Sequence, residues 1–264
     1  MKRLLKELFY GKMAMQRFFE TLHSIALAGM NFGNLDPKTS GERYLLEHMF
    51  QTEKDLIIFD VGANKGQYLN QLESVFDGSA IVHAFEPSKF AYEKLFEAHG
   101  RKRHISLVNV GLGRTRQQSV PLYSVKFGDT GSSLVRKEIP NHKSPPQAHQ
   151  ESIELYNLDE YVKSNNIPQI TLLKIDVEGY ELEVLKGGSS VLDDGRIKYI
   201  QFEFGENAMG HGLFFLDLYK YLIPKYRICR FVKDGWIELN EYDLRMEIFT
   251  GCNFLAIHRN IATR

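Results

Sequence analysis

Residues 60–66 read Asp-Val-Gly-Ala-Asn-Lys-Gly, and the apolar residues 56–59 (Leu-Ile-Ile-Phe) lead directly into them. The apolar run predicts a buried strand that ends in a tight glycine turn. After Gly66, apolar residues recur at helical spacing as far as Phe76. This strand–turn–helix unit is typical of a doubly wound sheet, in which ligands bind beyond the carboxyl ends of the strands.

The two glycines of the turn predict a close approach of a ligand to the main chain. Gly62 and Gly66 can adopt backbone angles closed to other residues, and the free N–H groups at the start of the next helix favour an anionic group. A dinucleotide site would read G-x-G-x-x-G, but the spacing here is G-x-x-x-G and lacks the middle glycine that makes room for a pyrophosphate. The turn therefore favours a nucleoside cofactor that carries a carboxylate and no phosphate.

A second acid supports a cofactor site. Residues 81–85 predict a strand that ends at Glu86, which lies 26 residues after Asp60. An acid at about this spacing accepts hydrogen bonds from a ribose diol. Both acids could instead be solvated carboxylates at strand ends, but the glycine turn and the acid occur together at βαβ spacing. We therefore interpret Asp60 and Glu86 as cofactor-binding residues.

Composition excludes several classes of protein. The 264 residues include 33 Lys and Arg and 33 Asp and Glu, so no net charge attracts nucleic acid. Cys229 and Cys252 lie far apart in apolar stretches, which indicates reduced thiols in a cytoplasmic protein. No run approaches the ~18 apolar residues of a membrane span, and the basic N-terminus lacks the build of a cleavable signal. We expect no nucleic-acid partner and no stable membrane insertion.

Residues 1–50 are predicted to form a helical extension and linker ahead of a domain at 51–264. Apolar residues recur at helical spacing to about residue 30, and residues 31–41 contain the glycines, asparagines and proline of a linker or active-site lid. The helical segment is cationic and amphipathic. This pattern favours packing on the domain or on a second copy, which would give a homodimer, and a membrane-surface helix is the alternative.

From residue 51 onward the chain alternates predicted strands with predicted helices, which indicates an α/β three-layer domain with a largely parallel sheet. Two predicted strands, at residues 120–125 and 152–155, fall outside this alternation. The remaining strands are predicted at residues 105–110, 170–175, 198–204, 226–232 and 253–258.

Several motifs carry a family resemblance. They are residues 60–66, residues 84–87 (Ala-Phe-Glu-Pro), residues 174–181 (Lys-Ile-Asp-Val-Glu-Gly-Tyr-Glu), residues 185–188 (Leu-Lys-Gly-Gly) and residues 131–134 (Gly-Ser-Ser-Leu). Over about residues 54–205 the sequence resembles the FkbM family of S-adenosylmethionine-dependent methyltransferases. The resemblance implies a Rossmann-like, seven-stranded methyltransferase sheet with an antiparallel last strand. It also implies O-methylation, often of a sugar hydroxyl in a glycan or natural product. Lys65 departs from the family pattern, which more often has a small or apolar residue there.

The resemblance implies an S-adenosylmethionine site at the glycine turn and at the segments that follow the neighbouring strands. Gly111 and Leu112, after the third strand, should border the adenine. Ser132 and Ser133 should close over the cofactor or the acceptor, unless they form only a surface turn. Asp176 is a further candidate contact. The turn and the second strand contribute the other candidates, which are Asp60, Gly62, Ala63, Asn64, Lys65, Gly66, Glu86 and Pro87.

The catalytic candidates follow from the chemistry of methyl transfer. The reaction is an in-line displacement, so alignment does much of the work, and an alcohol needs a base or a metal ion near the methyl group. The sheet topology brings the ends of the fourth and fifth strands to this point, which selects Asp176, Glu178, Glu203 and His211. The two acids after the fourth strand could instead cap a helix, and the histidine could be an ordinary loop residue.

Other readings of the same residues stay open at this point. Asp176, Glu203 and Asn207 could form an oxygen-rich Mg²⁺ site. The protein could bind S-adenosylmethionine without turnover, as an assembly subunit. It could also be an NAD-dependent oxidoreductase, which the missing middle glycine disfavours. The acceptor, a small molecule or a glycan, is not identified by the sequence.

Overall fold

The computed structural model describes residues 9–125, 131–135 and 149–261. Short 3-10 turns occupy Met13–Met15 and Leu244–Met246. The helices are α1 (Gln16–Gly29), α2 (Glu42–Thr52), α3 (Gln67–Phe76), α4 (Lys89–His99), α5 (Leu158–Ser164), α6 (Glu181–Gly187), α7 (Ser189–Asp193), α8 (Asn207–Gly210) and α9 (Phe215–Leu222). The strands are β1 (Ile57–Val61), β2 (Ile81–Phe85), β3 (Ile105–Val108), β4 (Gly111–Gly113), β5 (Gln117–Ser124), β6 (His149–Asn157), β7 (Ile170–Ile175), β8 (Ile197–Phe204), β9 (Tyr226–Val232), β10 (Gly235–Glu238) and β11 (Cys252–His258).

The central sheet has eight strands in the order β10-β9-β11-β8-β7-β1-β2-β3. Strands β8, β7, β1, β2 and β3 pair in parallel, and the last strand, β11, lies antiparallel between β8 and β9. The mostly parallel, Rossmann-like sheet with an antiparallel last strand is therefore confirmed. The predicted count of seven is wrong by one strand, because β10 pairs antiparallel with β9. Its four residues are at most half-buried, so they lack the apolar alternation by which a strand is recognised.

A second sheet of three strands, in the order β4-β6-β5, lies outside the alternation of strands and helices. The strands predicted at residues 120–125 and 152–155 are its antiparallel pair β5 and β6, and both are longer than predicted. Tyr123 forms an isolated antiparallel bridge with Ser133, which fixes residues 131–135 beside β5. The sequence also predicts loops at residues 128–133 and 140–150, of which residues 128–130 and 140–148 lie outside the described residues, as do residues 1–8 of the predicted helical extension.

The core is divided between the two faces of the sheet. On β1, successive side chains alternate, so Ile58 packs among residues of α2, α3 and α4, whereas Phe59 packs among residues of α5, α6 and α9. Asp60 occupies the same face as Ile58, at the carboxyl end of the strand. This alternation buries the first acid of the glycine turn instead of exposing it.

Helix α2 belongs to this core, although the sequence suggested an extension ahead of the domain. Leu45, Leu46 and Met49 are fully buried in the cluster that contains Ile58. The side-chain amide of Asn31 donates to the carbonyls of Ser40 and Phe231, so the connection before α2 is packed and hydrogen-bonded. The predicted domain boundary after residue 50 stays a prediction, and these contacts favour one nearer residue 30. Over the described ranges, no helix has the length and apolarity that a membrane span requires.

Candidate active site at the carboxyl edge of the sheet

The glycine turn after β1 packs directly against the acidic turn after β7. The two strands are parallel neighbours, and the N–H of Asp176 donates to the carbonyl of Val61 at 2.9 Å. Gly62 has a φ of 86°, and a Cβ atom there would overlap the carbonyl oxygen of Asp176. The sequence analysis assigned this glycine to the approach of a ligand. The structure shows that it makes room for the neighbouring turn.

Glu86 lies where the sequence placed it, at the end of β2 and against the glycine turn. One carboxylate oxygen accepts the N–H of Asn64 at 2.8 Å and the other accepts the N–H of Ser88 at 2.8 Å. Burial raises the pKa of Glu86 to about 7, and the two backbone donors oppose this rise. A carboxylate has about four acceptor positions, so two backbone bonds leave capacity for a diol. The residues present therefore fit a ribose.

The remaining predicted cofactor residues surround Glu86. The N–H of Ala63 donates to the carbonyl of Phe85, which joins the turn to β2. The N–H of Lys65 donates to the side-chain oxygen of Asn64, which joins two neighbouring residues within the turn. The Lys65 side chain is exposed. These contacts hold the backbone of the turn in place.

Gly111 and Leu112 are buried as part of β4 and pair in parallel with β6. The predicted contact with adenine stays a prediction. A Cβ atom at Gly111 would meet the side chains of Leu155 and Pro87, so this glycine lets β4 approach the segment after Glu86. Asn109, which the sequence analysis missed, donates to the carbonyl of Glu86 at 2.8 Å. The sequence predicts Asn109 as part of the strand at residues 105–110, and no pattern in the neighbouring residues indicates this contact.

A buried ion pair lies beneath the glycine turn. Asp60 and Lys174 are directly opposite each other in the register of β1 and β7, and the Lys174 ammonium lies 3.1 Å from Asp60 and 3.3 Å from Asp176. Burial alone would lower the pKa of Lys174, but the carboxylates of Asp60, Asp176 and Glu42 together raise it, so the ammonium persists. The expected pairing of Lys174 with Asp176 is present. Asp60 has no exposed surface, and its cofactor contact stays a prediction.

Polar side chains from distant parts of the chain complete this buried network. Glu42 of α2 accepts hydrogen bonds from Ser40 at 3.1 Å and from Asn253 of β11 at 2.8 Å. The Tyr68 hydroxyl donates to Gln201, which is the register partner of Lys174 on β8. The sequence analysis missed Glu42 and Gln201, because no local pattern relates residues that meet only through the sheet.

The predicted catalytic acids come together at the ends of β7 and β8. Asp176, Glu178, Glu203 and Asn207 line one small cavity. Burial raises the pKa of Glu203 to about 9, and the nearby carboxylates of Asp176, Glu178 and Glu181 add to the rise. Glu203 therefore carries its proton at neutral pH and can donate a hydrogen bond, but it is not the base in that state.

Glu181 supports the turn that carries Glu178. One of its oxygens accepts the N–H groups of Val177 and Gly179, each at 3.2 Å. Burial raises the pKa of Glu181 to about 7. Glu178 itself has a φ of 59°, an unusual conformation for a residue with a side chain. The two backbone bonds and the burial of Glu181 indicate a structural role for this residue.

His211 lies on the other side of this turn. Its Nε2 atom is 3.3 Å from the Ser133 hydroxyl, and that hydroxyl lies 3.4 Å from the carbonyl of Glu178. Ser133 is buried and its neighbour Ser132 is half-buried. The predicted contact of both serines with the cofactor or the acceptor stays a prediction, and the structure adds a contact between Ser133, which bridges to β5, and His211.

A magnesium site gains no support from this arrangement. Asp176, Glu203 and Asn207 share the cavity, as predicted. Within the described part of the chain, however, no group of three or more His, Cys, Asp and Glu residues is arranged to hold a metal ion.

Comparison with known families agrees with this geometry. The sequence model described as "Methyltransferase FkbM domain" matches residues 60–232, which is well over half of the 264 residues. The chain belongs to the FkbM methyltransferase family. The matched region contains the glycine turn, Glu86 and both acidic strand ends.

Two curated relatives are methyltransferases. The chain is 28% identical over 169 residues to the hexuronic acid methyltransferase AglP of Haloferax volcanii, a match that covers 62% of this chain and 61% of that protein. It is 27% identical over 154 residues to Methyltransferase 1 of Beauveria bassiana, covering 53% of this chain and 59% of that protein. The chain thus spans about three fifths of the length of each relative.

Solved methyltransferase structures align with the chain at low similarity. A precorrin-6y C5,15-methyltransferase of Geobacter metallireducens aligns with a TM-score of 0.42 and 11% identity, over 82% of this chain and 87% of that chain. An S-adenosylmethionine-dependent O-methyltransferase of Thermotoga maritima aligns with a TM-score of 0.41 and 10% identity, over 84% and 66%. At these scores no residue role is transferred from either structure.

Proposed function

We propose that this member of the FkbM family is an S-adenosylmethionine-dependent O-methyltransferase whose acceptor is a hydroxyl group of a sugar or glycan. The observation that carries the proposal is the position of the Glu86 carboxylate. The N–H of Asn64 holds this carboxylate against the glycine turn, and the glycine turn packs against the turn that carries Asp176. A site for a ribose and a site for a base therefore adjoin each other.

Glu86 and the turn after β1 would hold the cofactor. Glu86 has acceptor capacity for the ribose diol beyond its two backbone bonds. The turn offers a rigid backbone surface, because its N–H groups are bonded to β2 and to the Asn64 side chain. When bound, S-adenosylmethionine supplies an electrophilic methyl group.

Asp176 is the proposed base. Its side chain is 40% exposed, so an acceptor hydroxyl can reach it, and Lys174 fixes one of its oxygens at 3.3 Å. A fixed carboxylate can take the proton of a hydroxyl group as the oxygen attacks, without first reorganising. His211 is the second candidate for this role, since its contact with Ser133 fixes the ring.

Glu178 and Glu203 would orient the acceptor. They line the same cavity as Asp176. A protonated Glu203 can donate a hydrogen bond to an acceptor oxygen, and the Glu178 side chain can accept one from a second hydroxyl. A molecule with several adjacent hydroxyl groups matches such a pair, which is why a sugar is favoured over a simple alcohol.

The acidic lining also favours a neutral sugar over a uronic acid. The described residues around the cavity contribute four carboxyl groups, and Lys174 is already bonded to one of them, Asp176, and to the buried Asp60. A carboxylate on the acceptor would meet like charge at short range, which disfavours binding. The relative AglP supports a sugar acceptor in general, and the neutral class is the more specific part of this proposal.

The proposal is tested by incubating the protein with trideuteromethyl S-adenosylmethionine and matched pairs of acceptors, glucose with glucuronic acid and galactose with galacturonic acid. Mass spectrometry then detects the transferred group. The expected result is labelled methyl ether on the neutral sugar of each pair, lost in Asp176→Asn. Cofactor binding without transfer to any hydroxyl-bearing acceptor would instead indicate a binding subunit, and transfer to the uronic acid alone would contradict the neutral class.

A further inference from the structure

Helix α1 exposes an apolar surface that the other described residues leave uncovered. None of its residues is buried, and Phe18, Leu22 and Ile25 are 56%, 48% and 63% exposed. At about 3.6 residues per turn, these three side chains lie on one face of the helix, with Phe19 beside them. We call Phe18, Phe19, Leu22 and Ile25 the α1 stripe.

The α1 stripe points away from the domain. Leu27, which is half-buried against the main core, lies on the opposite face of the helix from Phe18 and Ile25. The helix is therefore attached by its carboxyl-terminal end and presents its apolar side outward. Packing on its own domain, the first alternative raised by the sequence, does not account for the stripe.

The attachment point of α1 lies at the active-site edge of the sheet. The N–H of Gly33 donates to the carbonyl of Gly251 at 2.7 Å. Gly251 directly precedes β11, whose first residue, Cys252, pairs with Phe204 at the end of β8. The segment that joins α1 to the domain therefore lies at the same edge of the sheet as the proposed acceptor site.

The charge of the N-terminal segment distinguishes between the two remaining occupants of the α1 stripe, which are a second copy of the chain and a membrane surface. Residues 1–30 contain five Lys and Arg and two Glu, which leaves 28 basic and 31 acidic residues in the rest of the chain. A second copy docked on this helix would bring two cationic segments together. An anionic surface complements the segment, and aromatic and aliphatic residues beside basic ones are typical of helices that lie in a membrane interface.

We propose that α1 docks this protein on anionic lipid bilayers, with the α1 stripe in the interfacial region and the exposed basic residues Lys12 and Arg17 near the headgroups. The cytoplasmic leaflet carries such a negative surface, which agrees with the cytoplasmic location expected from the cysteines. Docking is independent of the proposed chemistry, and it would turn the active-site edge toward the bilayer.

The test is co-sedimentation of the full chain with vesicles of phosphatidylcholine, alone or with three parts in ten of phosphatidylglycerol. We expect binding at least tenfold tighter to the anionic vesicles and weakened by salt. The double variant Phe18→Ser/Ile25→Ser should lose at least tenfold in binding while its melting temperature is unchanged, because both side chains are exposed. Leu244→Ser, at a 79% exposed residue far along the chain, is the matched control and should bind normally.

Three outcomes would overturn the proposal. They are equal binding to neutral and anionic vesicles, no binding to either, and binding that the double variant retains. Sedimentation velocity on the same proteins addresses the competing occupant. A concentration-dependent dimer that Phe18→Ser/Ile25→Ser abolishes, without vesicle binding by the wild-type chain, would assign the α1 stripe to a second copy instead.

Discussion

The ammonium group of Lys174 bridges Asp60, at 3.1 Å, and Asp176, at 3.3 Å. Because Asp60 and Lys174 are register partners in adjacent parallel strands, the bridge is built into the sheet. It ties the strand end that carries the glycine turn to the strand end that carries the proposed base. The geometry of the cofactor side and of the acceptor side of the site therefore depends on one buried cation.

Replacing that cation should destabilise the fold strongly. Lys174→Met leaves Asp60 fully buried without its partner, so the carboxyl group must either keep an unpaired charge or bind a proton. Breaking a buried pair in this way typically costs about 3–5 kcal/mol in the free energy of unfolding. Urea unfolding followed by circular dichroism measures the loss. The double variant Asp60→Asn/Lys174→Met should recover a large part of it, because no buried charge is then left unpaired. A loss below about 1 kcal/mol in the single variant would show that the pair is not ionised.

Asp176→Asn should lower turnover far more than cofactor affinity. The amide keeps the shape of the side chain but cannot take a proton, and loss of a general base typically costs about 10²–10⁴ in rate. Steady-state kinetics with an acceptor that the wild-type chain methylates gives kcat, and calorimetry gives the Kd for S-adenosylmethionine. Wild-type turnover in this variant would remove Asp176 from the mechanism and leave His211 as the base.

Replacing Ser132 and replacing Ser133 by alanine should have different effects on the kinetics. Ser133→Ala removes the hydroxyl that contacts His211, so we expect kcat to fall by about tenfold, the loss of roughly one hydrogen bond, with the cofactor Kd unchanged. Ser132→Ala should instead raise the Kd for S-adenosylmethionine if Ser132 closes over the cofactor. Identical profiles for the two variants would show that the segment acts only by packing.

Glu203 should make the stability of the protein depend on pH. Its pKa is raised from 4.5 to about 9 in the folded state, so the folded protein binds a proton that the unfolded chain has released. Stability is then fully present below pH 4.5 and falls as the pH rises toward 9. Glu203→Gln, which mimics the protonated form, should remove this contribution and raise stability by on the order of 2 kcal/mol at pH 8. Calorimetric melting of both proteins at pH 5 and pH 8 measures this gain in stability. An equal gain at the two pH values would contradict the raised pKa of Glu203.

The local units of the site were predictable from the sequence, and their packing was not. The run at residues 56–59 and the turn after it are set by neighbouring residues, so strand, turn and helix were all found. Glu86 followed from its spacing to the turn. The role of Gly62 was missed, because only the pairing of β1 with β7 brings the Asp176 carbonyl against it.

The elements that the sequence analysis missed all depend on distant contacts. Strand β10 is short and at most half-buried, so only its pairing with β9 defines it. Glu42 reaches the site because α2 packs beneath the sheet, and its partner Asn253 lies 211 residues away. Ser133 meets His211 through the small sheet, which lies outside the alternation of strands and helices. No pattern within a window of neighbouring residues carries this information.

The central claim, an S-adenosylmethionine site formed by the glycine turn and Glu86, is tested most directly by isothermal titration calorimetry. The wild-type chain and Glu86→Ala are titrated with S-adenosylmethionine, S-adenosylhomocysteine and NAD, with and without Mg²⁺. We predict that both adenosyl ligands bind with a Kd on the order of micromolar, that NAD does not bind, and that Glu86→Ala weakens binding at least about tenfold through loss of the ribose contact. Binding of NAD in their place, or full affinity in Glu86→Ala, would contradict the account.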